Sequence, residues 1–337
     1  MMSAMKCSVL PGLLVLSSTL FLTACNDLRY VNESITITDD FSFTDDVAKT
    51  KYTVTQPGVV VEGNGFTIDG DCNTDCIGLT IVADDVTVRN LTIRNFDGGV
   101  SINRQAAGVR FENVTVTDNV NHGIFVNVGA SRFSCDNCDI SDNGSMGIYL
   151  EYNSHGATIT NSRIVGNGYR DKDSGDWIED LKAESKDDRE GIAIDASQGN
   201  TISNTYFADN ALTGVTLYKN CGERGITREW GANYNRIVGG RVEDGIHIAS
   251  RQDKNLSDWS CSDPYIYQNA YVADEAEHNI VDGVTLGPSA TLAVQDDNNQ
   301  IIGVTGGSIV ITSTVRAALN QPITGVTTTN TDSTIYR

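Results

Sequence analysis

The chain has 337 residues and a formal net charge of −20, with 32 glycines and 5 prolines. Nothing in this charge balance supplies the basic face that a nucleic-acid-binding protein needs. Long helix-forming runs are missing and Thr and Asn are abundant, which favours strands and tight turns. The negative charge either keeps the protein soluble or includes carboxylates that bind a divalent cation.

Residues 1–25 have the features of a bacterial export signal in the right order. Lys6 supplies positive charge, residues 9–22 are apolar, and Leu22-Thr23-Ala24-Cys25 closes the run. The apolar run is too short to cross a membrane comfortably. The closing tetrapeptide resembles a lipobox, in which the cysteine is lipidated and becomes the first mature residue. We therefore predict a lipoprotein signal peptide and an exported protein, anchored in the bacterial cell envelope only through a lipid on Cys25.

Six cysteines follow the signal, and exported proteins can form disulfides. Two close pairs and one distant pair predict three bridges: Cys72 with Cys76, Cys135 with Cys138, and Cys221 with Cys261. The alternative for Cys135 and Cys138 is zinc, but no second ligand pair stands at a suitable spacing. Disulfides are therefore favoured.

A regular rhythm begins near residue 54, after an N-terminal cap segment (26–53) without a clear repeat. Turn asparagines recur after 23, 24 and 24 residues, and each precedes a short alternating strand: Asn90, Asn113, Asn137 and Asn161. A second strand type starts at a series of glycines, of which the first three are 24 residues apart: Gly99, Gly123, Gly147, Gly191, Gly214 and Gly245. Such a period is the signature of a solenoid.

This pattern predicts an all-β fold, a single-stranded right-handed parallel β-helix over residues 54–326, with a repeat near 24 residues as one coil. The alternation places Ile148 and Leu150 inside, and stacked coils then form one continuous core. Asparagine at the turns tolerates left-handed backbone geometry and can bond to asparagine in the next coil. Leucine-rich repeats have a similar period, but their leucine spacing is missing. We expect a monomer, with residues 327–337 as a C-terminal tail or cap.

Three insertions break the repeat, at 170–189, 222–234 and 250–277. Insertions in solenoids leave at the turns and often surround the binding face. The outward strand positions are mostly neutral in the first three coils and then become charged or aromatic: Tyr149, Glu151, Asp195, Tyr218, Lys219 and His247. Adjacent coils are about 4.8 Å apart, so three of these groups would span about 10 Å on one face if the insertion leaves the register unchanged.

Each candidate also has an ordinary structural interpretation. Lys219 is either a surface lysine or a base, and Tyr169 is either a rim contact or a partner in proton transfer. For His247 a structural role is favoured.

The carboxylates Glu151 and Asp195 have three open roles. They could bind sugar hydroxyls, bind a cation, or pair with Arg189 and Arg251. Ca²⁺ is the one cofactor candidate, and the missing dense Asp cluster places it behind the other two roles.

Five blocks stand within about residues 85–300: GIYLEYNSHG, GNGYRD, REGIAIDASQGNTI, LYKNCGE and IASRQDKNLSDWSCSDP. They resemble a group of secreted bacterial β-helix proteins related to alginate lyases that act on polymannuronate. The resemblance implies cleavage of an anionic uronate polymer, with Lys219 and Tyr169 as the proton-transferring pair. The predicted substrate-binding residues are Tyr149, Glu151, Arg189, Glu190, Asp195, Tyr218, His247 and Arg251. The long insertion departs from the shorter turn of that group.

The chemistry implied by this resemblance is β-elimination. It needs a neutralised carboxylate beside C5, a role given to Arg189 and Arg251, a base for the C5 proton and an acid for the C4 oxygen. Three alternatives stay open. A glycoside hydrolase would use two of Glu151, Glu190 and Asp195. A C5-epimerase would leave the polymer intact, and a surface adhesin or glycan-binding β-helix would catalyse nothing.

Overall fold

The computed structural model describes residues 29–42, 50–72, 75–169, 188–219, 230–248, 276–313 and 322–337. All regular elements in these ranges are β-strands. The predicted signal peptide, Arg251, the Cys221–Cys261 bridge and most of the three insertions lie outside the described residues. Within the described ranges, no helix is long and apolar enough to cross a membrane.

The strands are short and follow each other at regular intervals. The first fifteen are β1 (Arg29–Val31), β2 (Ile35–Thr36), β3 (Phe41–Ser42), β4 (Thr50–Val54), β5 (Val60–Glu62), β6 (Thr67–Asp69), β7 (Ile77–Ile81), β8 (Thr87–Arg94), β9 (Gly98–Ile102), β10 (Arg110–Thr117), β11 (Ile124–Val126), β12 (Ser134–Asp136), β13 (Asp139–Ser141), β14 (Ile148–Leu150) and β15 (Thr158–Thr160). The others are β16 (Arg163–Val165), β17 (Ile192–Asp195), β18 (Thr201–Ser203), β19 (Tyr206–Ala208), β20 (Val215–Tyr218), β21 (Arg236–Val238), β22 (Arg241–Val242), β23 (Ile246–Ile248), β24 (Ile280–Asp282), β25 (Thr285–Leu286), β26 (Thr291–Val294), β27 (Gln300–Ile302), β28 (Ser308–Ile311), β29 (Thr327–Thr329) and β30 (Thr334–Tyr336).

Strands of successive coils pair in parallel and form long ladders. The largest, which we name sheet A, has 12 strands in the order β1-β4-β7-β9-β11-β14-β17-β20-β23-β26-β28-β30. Two further ladders contain the other strands, and the long strands β8 and β10 contribute to both. The predicted parallel β-helix is therefore confirmed, with one strand of sheet A in each coil.

The interior is a column of aliphatic side chains that the alternation correctly identified. Ile148 lies beside Ile192, and Leu150 lies beside Ile194, in the pairing of β14 with β17. These four side chains are 0 % exposed, and full burial of each stabilises the fold by about 1.5–3 kcal/mol. The insertion between β16 and β17 leaves the coil without shifting its register.

The predicted turn asparagines adopt the left-handed backbone. Asn90, Asn113 and Asn137 each have a φ of 55°, and Asn161 has a φ of 51°. The Asn113 side-chain amide donates to Asn90 Oδ1 at 2.9 Å, and the Asn137 amide donates to Asn113 Oδ1 at 3.2 Å. The exposed ladder ends there, because the Asn161 amide donates to Asp136 Oδ1 instead.

A second, buried asparagine ladder follows the turn before sheet A, and the sequence analysis did not identify it. Asn119, Asn143 and Asn167 are 0 % exposed. Side-chain amides donate along the series from Asn119 to Asn143 (2.8 Å), Asn167 (2.9 Å), Asn210 (3.0 Å) and finally the Asp244 carboxylate (2.8 Å). Burial raises the pKa of Asp244, against the hydrogen bonds from Asn210. The ladder satisfies buried polar groups that would otherwise destabilise the turn.

Two of the predicted bridges are confirmed, Cys72–Cys76 and Cys135–Cys138. The two ends of the chain also join the ladders. Strand β1 of the predicted N-terminal cap segment pairs with β4, and β2 pairs with β5. In the predicted C-terminal tail or cap, β29 pairs with β27, and β30 pairs with β28. The described parts of both segments therefore extend the solenoid.

Candidate functional site

The outer face of sheet A carries its own small cluster, separate from the core. One outward row contains, in successive coils, Ser101, Phe125, Tyr149, Ala193, Thr216 and His247. In this region Met146, Tyr149, Ala193 and Tyr218 pack together, with Phe125 against them. The predicted change from neutral to charged and aromatic outward residues is therefore centred on β14, β17 and β20.

Tyr149 is the centre of the polar contacts on this face. Its hydroxyl donates to Asp195 Oδ2 at 2.8 Å and lies 3.5 Å from Glu151 Oε1. Tyr149 is 7 % exposed and Asp195 is 0 % exposed, whereas Glu151 is half-buried. Burial, followed by the neighbouring Tyr218, Asp195 and Glu151, raises the pKa of Tyr149 well above its usual range. The hydroxyl therefore carries its proton at neutral pH and donates it in the hydrogen bond to Asp195.

Lys219 lies at the carboxyl end of sheet A. It directly follows Tyr218, the last residue of β20, and it is 9 % exposed. The Tyr218 carbonyl accepts a hydrogen bond of 2.8 Å from the Ala196 backbone in the preceding coil. Lys219 therefore stands beside the outward row that holds Asp195 and Glu151.

Tyr169 lies at the opposite edge of sheet A. Its hydroxyl donates to Asp209 Oδ1 at 3.4 Å, and burial, followed by Asp209, raises its pKa to about 12. The base of its turn is closed by hydrogen bonds that place Leu212 beside Arg189. Lys219 follows Leu212 by seven residues, about 20 Å of extended chain. Tyr169 thus lies at the amino end of sheet A and Lys219 at its carboxyl end, and their pairing in proton transfer stays a prediction.

Arg189 and Glu190 flank the cluster from that same edge. Arg189 Nε lies 3.1 Å from Met146 Sδ and 3.8 Å from Glu190 Oε2. Glu190 is 2 % exposed, and among the described residues its Oε2 accepts no hydrogen bond. The Arg189 side chain is 22% exposed, whereas the Glu190 side chain is buried.

Two residues of this face were not predicted as site residues. The Phe125 ring stacks on Tyr149 with centroids 5.2 Å apart, and the His122 ring stacks on Tyr149 at 6.0 Å. Both are half-buried. Phe125 could have been found from its outward position, but His122 precedes its strand and carries no periodic signal.

The polar groups around Tyr149 do not make a Ca²⁺ site by themselves. Ca²⁺ takes six to eight oxygen ligands, and the described residues here offer the carboxylates of Glu151 and Asp195. One oxygen of Asp195 already accepts the Tyr149 hydroxyl. The three carboxylates that converge in the described ranges are Glu277, Asp296 and Asp297, which lie in other coils.

Comparison with protein families decides the classification of the fold. The family model of the right-handed β-helix region matches residues 76–321. The chain belongs to this family. A model of a pectate lyase-like adhesive domain matches residues 17–126 of the β-helix protein. Among curated proteins, none matches the sequence.

Several solved structures share the β-helix at low identity. An alginate lyase from Paenibacillus sp. is 14% identical over 90% of both chains, with a TM-score of 0.46. The A-module of a mannuronan C-5 epimerase from Azotobacter vinelandii is 14% identical over 91% of this chain and 81% of its own, with a TM-score of 0.38. A tailspike of an Escherichia coli O157:H7 bacteriophage is 12% identical over 90% of this chain, which spans 34% of the tailspike, with a TM-score of 0.42. These likenesses concern the fold alone.

The pKa of Tyr169 leads to a prediction about alkaline stability. Because its pKa is raised in the folded state, the proton on Tyr169 stabilises the fold below the unfolded pKa of about 10. That stabilisation is lost as the pH rises toward the folded pKa of about 12. Tyr169→Phe should therefore unfold with a weaker pH dependence between those two values, measured by urea denaturation across that range. Equal pH dependence in both proteins would contradict the contact with Asp209.

Proposed function

We propose that the chain is a polysaccharide lyase that cleaves a uronate polymer, with polymannuronate as the first candidate, on the outer face of sheet A. The observation that carries this proposal is the hydroxyl of Tyr149, hydrogen-bonded to Asp195 on the face of sheet A whose strand β20 ends directly before Lys219. Tyrosine and lysine are sufficient for proton transfer in a β-elimination. The sequence resemblance supports the same reaction class.

The proposed steps require no water in the bond-breaking reaction. Lys219, acting as a neutral amine, removes the C5 proton, and the C5 electron pair forms the C4–C5 double bond. The C4–O bond breaks, and Tyr149 donates its proton to the departing oxygen. Tyr149 therefore takes the place in the proton-transferring pair that the resemblance gave to Tyr169. Solvent protons then restore Tyr149, and Lys219 releases its proton.

The substrate carboxylate must be neutralised to make the C5 proton acidic. Arg189 is the described cation that reaches the cluster, through its contact with Met146. We assign it this role, with half-buried His247 in the row above Thr216 as a second polar contact. Arg251 stays a prediction for the same role, and so does Ca²⁺, since neither is tested by the described residues.

Glycoside hydrolysis is the second candidate, because Glu151 and Asp195 both lie within 3.5 Å of the Tyr149 hydroxyl. A hydrolase needs two carboxyl groups that reach the sugar and a water molecule. Asp195 is 0 % exposed and Glu190 is 2 % exposed. Among the described carboxylates of the site Glu151 is the most exposed, so the second carboxyl group of a hydrolase would have to come from a buried residue.

The cellular setting of the proposed enzyme follows from its N-terminal sequence. We propose export and a lipid anchor on Cys25, which would hold a monomeric enzyme in the cell envelope. Labelling with a radioactive fatty acid tests this: Cys25→Ser should abolish the label, and a retained label would contradict the anchor.

Product analysis tests the proposed reaction. The purified chain is incubated with polymannuronate, polygalacturonate and a neutral glucan, with and without chelator. We expect ultraviolet absorbance from the unsaturated product with at least one uronate polymer and none with the glucan. New reducing ends without that absorbance would assign the site to hydrolysis. An unchanged polymer length in all three incubations would contradict both candidates.

A further inference from the structure

A second aromatic surface lies at a corner of the solenoid, outside the proposed catalytic face. It follows the carboxyl end of sheet A, at the turn before strands β12, β15, β18, β21 and β24. Backbone hydrogen bonds align one position of this turn through successive coils. In coil order, that position is occupied by Arg132, Gly156, Gly199, Tyr234 and His278.

Tyr234 presents one open ring face at this corner. It is 58% exposed, and its other face stacks on His278, with centroids 5.1 Å apart and an interplanar angle of 7°. The open face is directed at the coil of Gly199, which has no side chain. A Cβ atom placed on Gly199 would meet no atom of the described residues within 4 Å. The open face of the Tyr234 ring therefore adjoins a recess in this part of the solenoid.

The recess continues over the next coil. At Gly156 the one described atom within 4 Å of an added Cβ is Arg132 Cγ, at 3.9 Å. The adjacent His155 ring contacts Trp230, which is 38% exposed, with centroids 6.4 Å apart. Two coils with glycine at this position lie between Tyr234 and Arg132, whose levels are therefore three coil spacings, about 14 Å, apart. This is room for about two sugar rings.

We propose that this corner is a non-catalytic binding site for an acidic polysaccharide. Tyr234 stacks on the apolar face of a pyranose ring at the level of Gly199. Exposed Arg132, at the other end of the recess, receives a uronate carboxylate. An aromatic ring with an open face attracts sugars because it removes apolar C–H surface from water without burying their hydroxyls.

The corner lies close to the proposed catalytic face. Gly199 follows Ala196 by three residues, and Ala196 is in register with Lys219. A polymer that leaves sheet A at its carboxyl end therefore meets the corner after about 10 Å. The inference rests on the proposed function only for the choice of polymer. Polymer held there stays near the catalytic face between cleavage events.

Binding and turnover are measured separately to test the corner. Retardation of the full chain in gels containing polymannuronate reports binding, in a Tyr149→Phe background that stops cleavage. Tyr234→Ala should weaken retardation about tenfold, the loss of about 1.4 kcal/mol. Tyr336→Ala is the matched control, because Tyr336 is 57% exposed and lies at the end of sheet A. It should bind as the parent does.

Filling the recess tests the geometry without removing an aromatic ring. Gly199→Asn tolerates the positive φ of 64° and should also weaken retardation about tenfold, because its side chain enters the level of the sugar. Gly283→Asn is its control, since Gly283 has a φ of 63° and equally open space at another turn. Arg132→Gln should weaken binding of polymannuronate and leave binding of a neutral glucan unchanged.

A cleavage assay separates this inference from the proposed function. The same substitutions are made in the protein that retains Tyr149, and cleavage of short oligosaccharides is measured. These substrates should be cleaved at the parent rate by Tyr234→Ala and Gly199→Asn. Undiminished retardation of both variants would overturn the corner site, and so would a parent that no polymer retards. Loss of oligosaccharide cleavage in both variants would place the corner in the catalytic site instead.

Discussion

Tyr149→Phe should lower kcat on a uronate polymer by about 10²–10⁴-fold, the usual contribution of a positioned proton donor. The substitution removes the hydroxyl that donates to Asp195 and preserves the ring that packs in the outer cluster. Lys219→Ala should lose activity to a similar extent, because the base is then missing. Initial rates of unsaturated-product formation measure both losses.

Tyr169→Phe is the matched control, because it removes a hydroxyl from a tyrosine at the edge of the same face. It should keep turnover near the parent rate, because Tyr169 contacts Asp209 at the opposite edge of sheet A. Thermal unfolding checks that Tyr149→Phe is folded, since Asp195 loses a buried hydrogen bond at a cost of about 1–3 kcal/mol. An inactive Tyr169→Phe beside an active Tyr149→Phe would restore the pairing that the sequence suggested.

Asn143→Ala should lower the free energy of unfolding by about 3–5 kcal/mol, the largest stability loss that we expect from a single polar side chain here. The Asn143 amide donates to Val116 O, Ser141 O and Asn167 Oδ1 at 2.9–3.1 Å. Its own carbonyl oxygen accepts from Asn119. Truncation therefore leaves several polar groups buried without partners.

The exposed ladder supplies the control for this loss. Asn113→Gly removes the same amide type from a solvent-facing turn and tolerates the φ of 55°. It should cost about 1 kcal/mol or less. Urea denaturation of both variants measures the difference. Equal losses would show that stacking of asparagines, and not their burial, determines the stability of the turns.

The repeat made the fold predictable from the sequence. The alternation in GIYLE and its equivalents identified Ile148 and Leu150 as core and Tyr149 as outward, because every coil repeats the same two-residue period. The spacing of Asn113 also predicted a left-handed turn. The buried position of Asn143 carried no such signal, since an asparagine in a polar turn has the same sequence context whether it faces water or the interior.

The site was less predictable than the fold, for a geometric reason. The sequence placed Glu151, Asp195 and Tyr218 on one face, which the pairing of β17 with β20 supports. It could not tell how the side chains of the long insertion approach this face. Tyr169 precedes the insertion, and Lys219 follows strand β20. The two residues therefore lie at opposite edges of sheet A. Burial of Asp195 likewise depends on parts of the chain that periodicity does not describe.

The two ends of the insertion at 170–189 are joined by the backbone of the coil, which matters for replacing it. The Arg189 backbone donates to the Gly168 carbonyl at 3.2 Å, so the coil is complete on either side of residues 170–187. A Cβ atom on Gly168 would overlap the Arg189 carbonyl oxygen, so this junction requires glycine. Replacement of residues 170–187 by a segment of another length should therefore leave this junction and the register of the core strands in place.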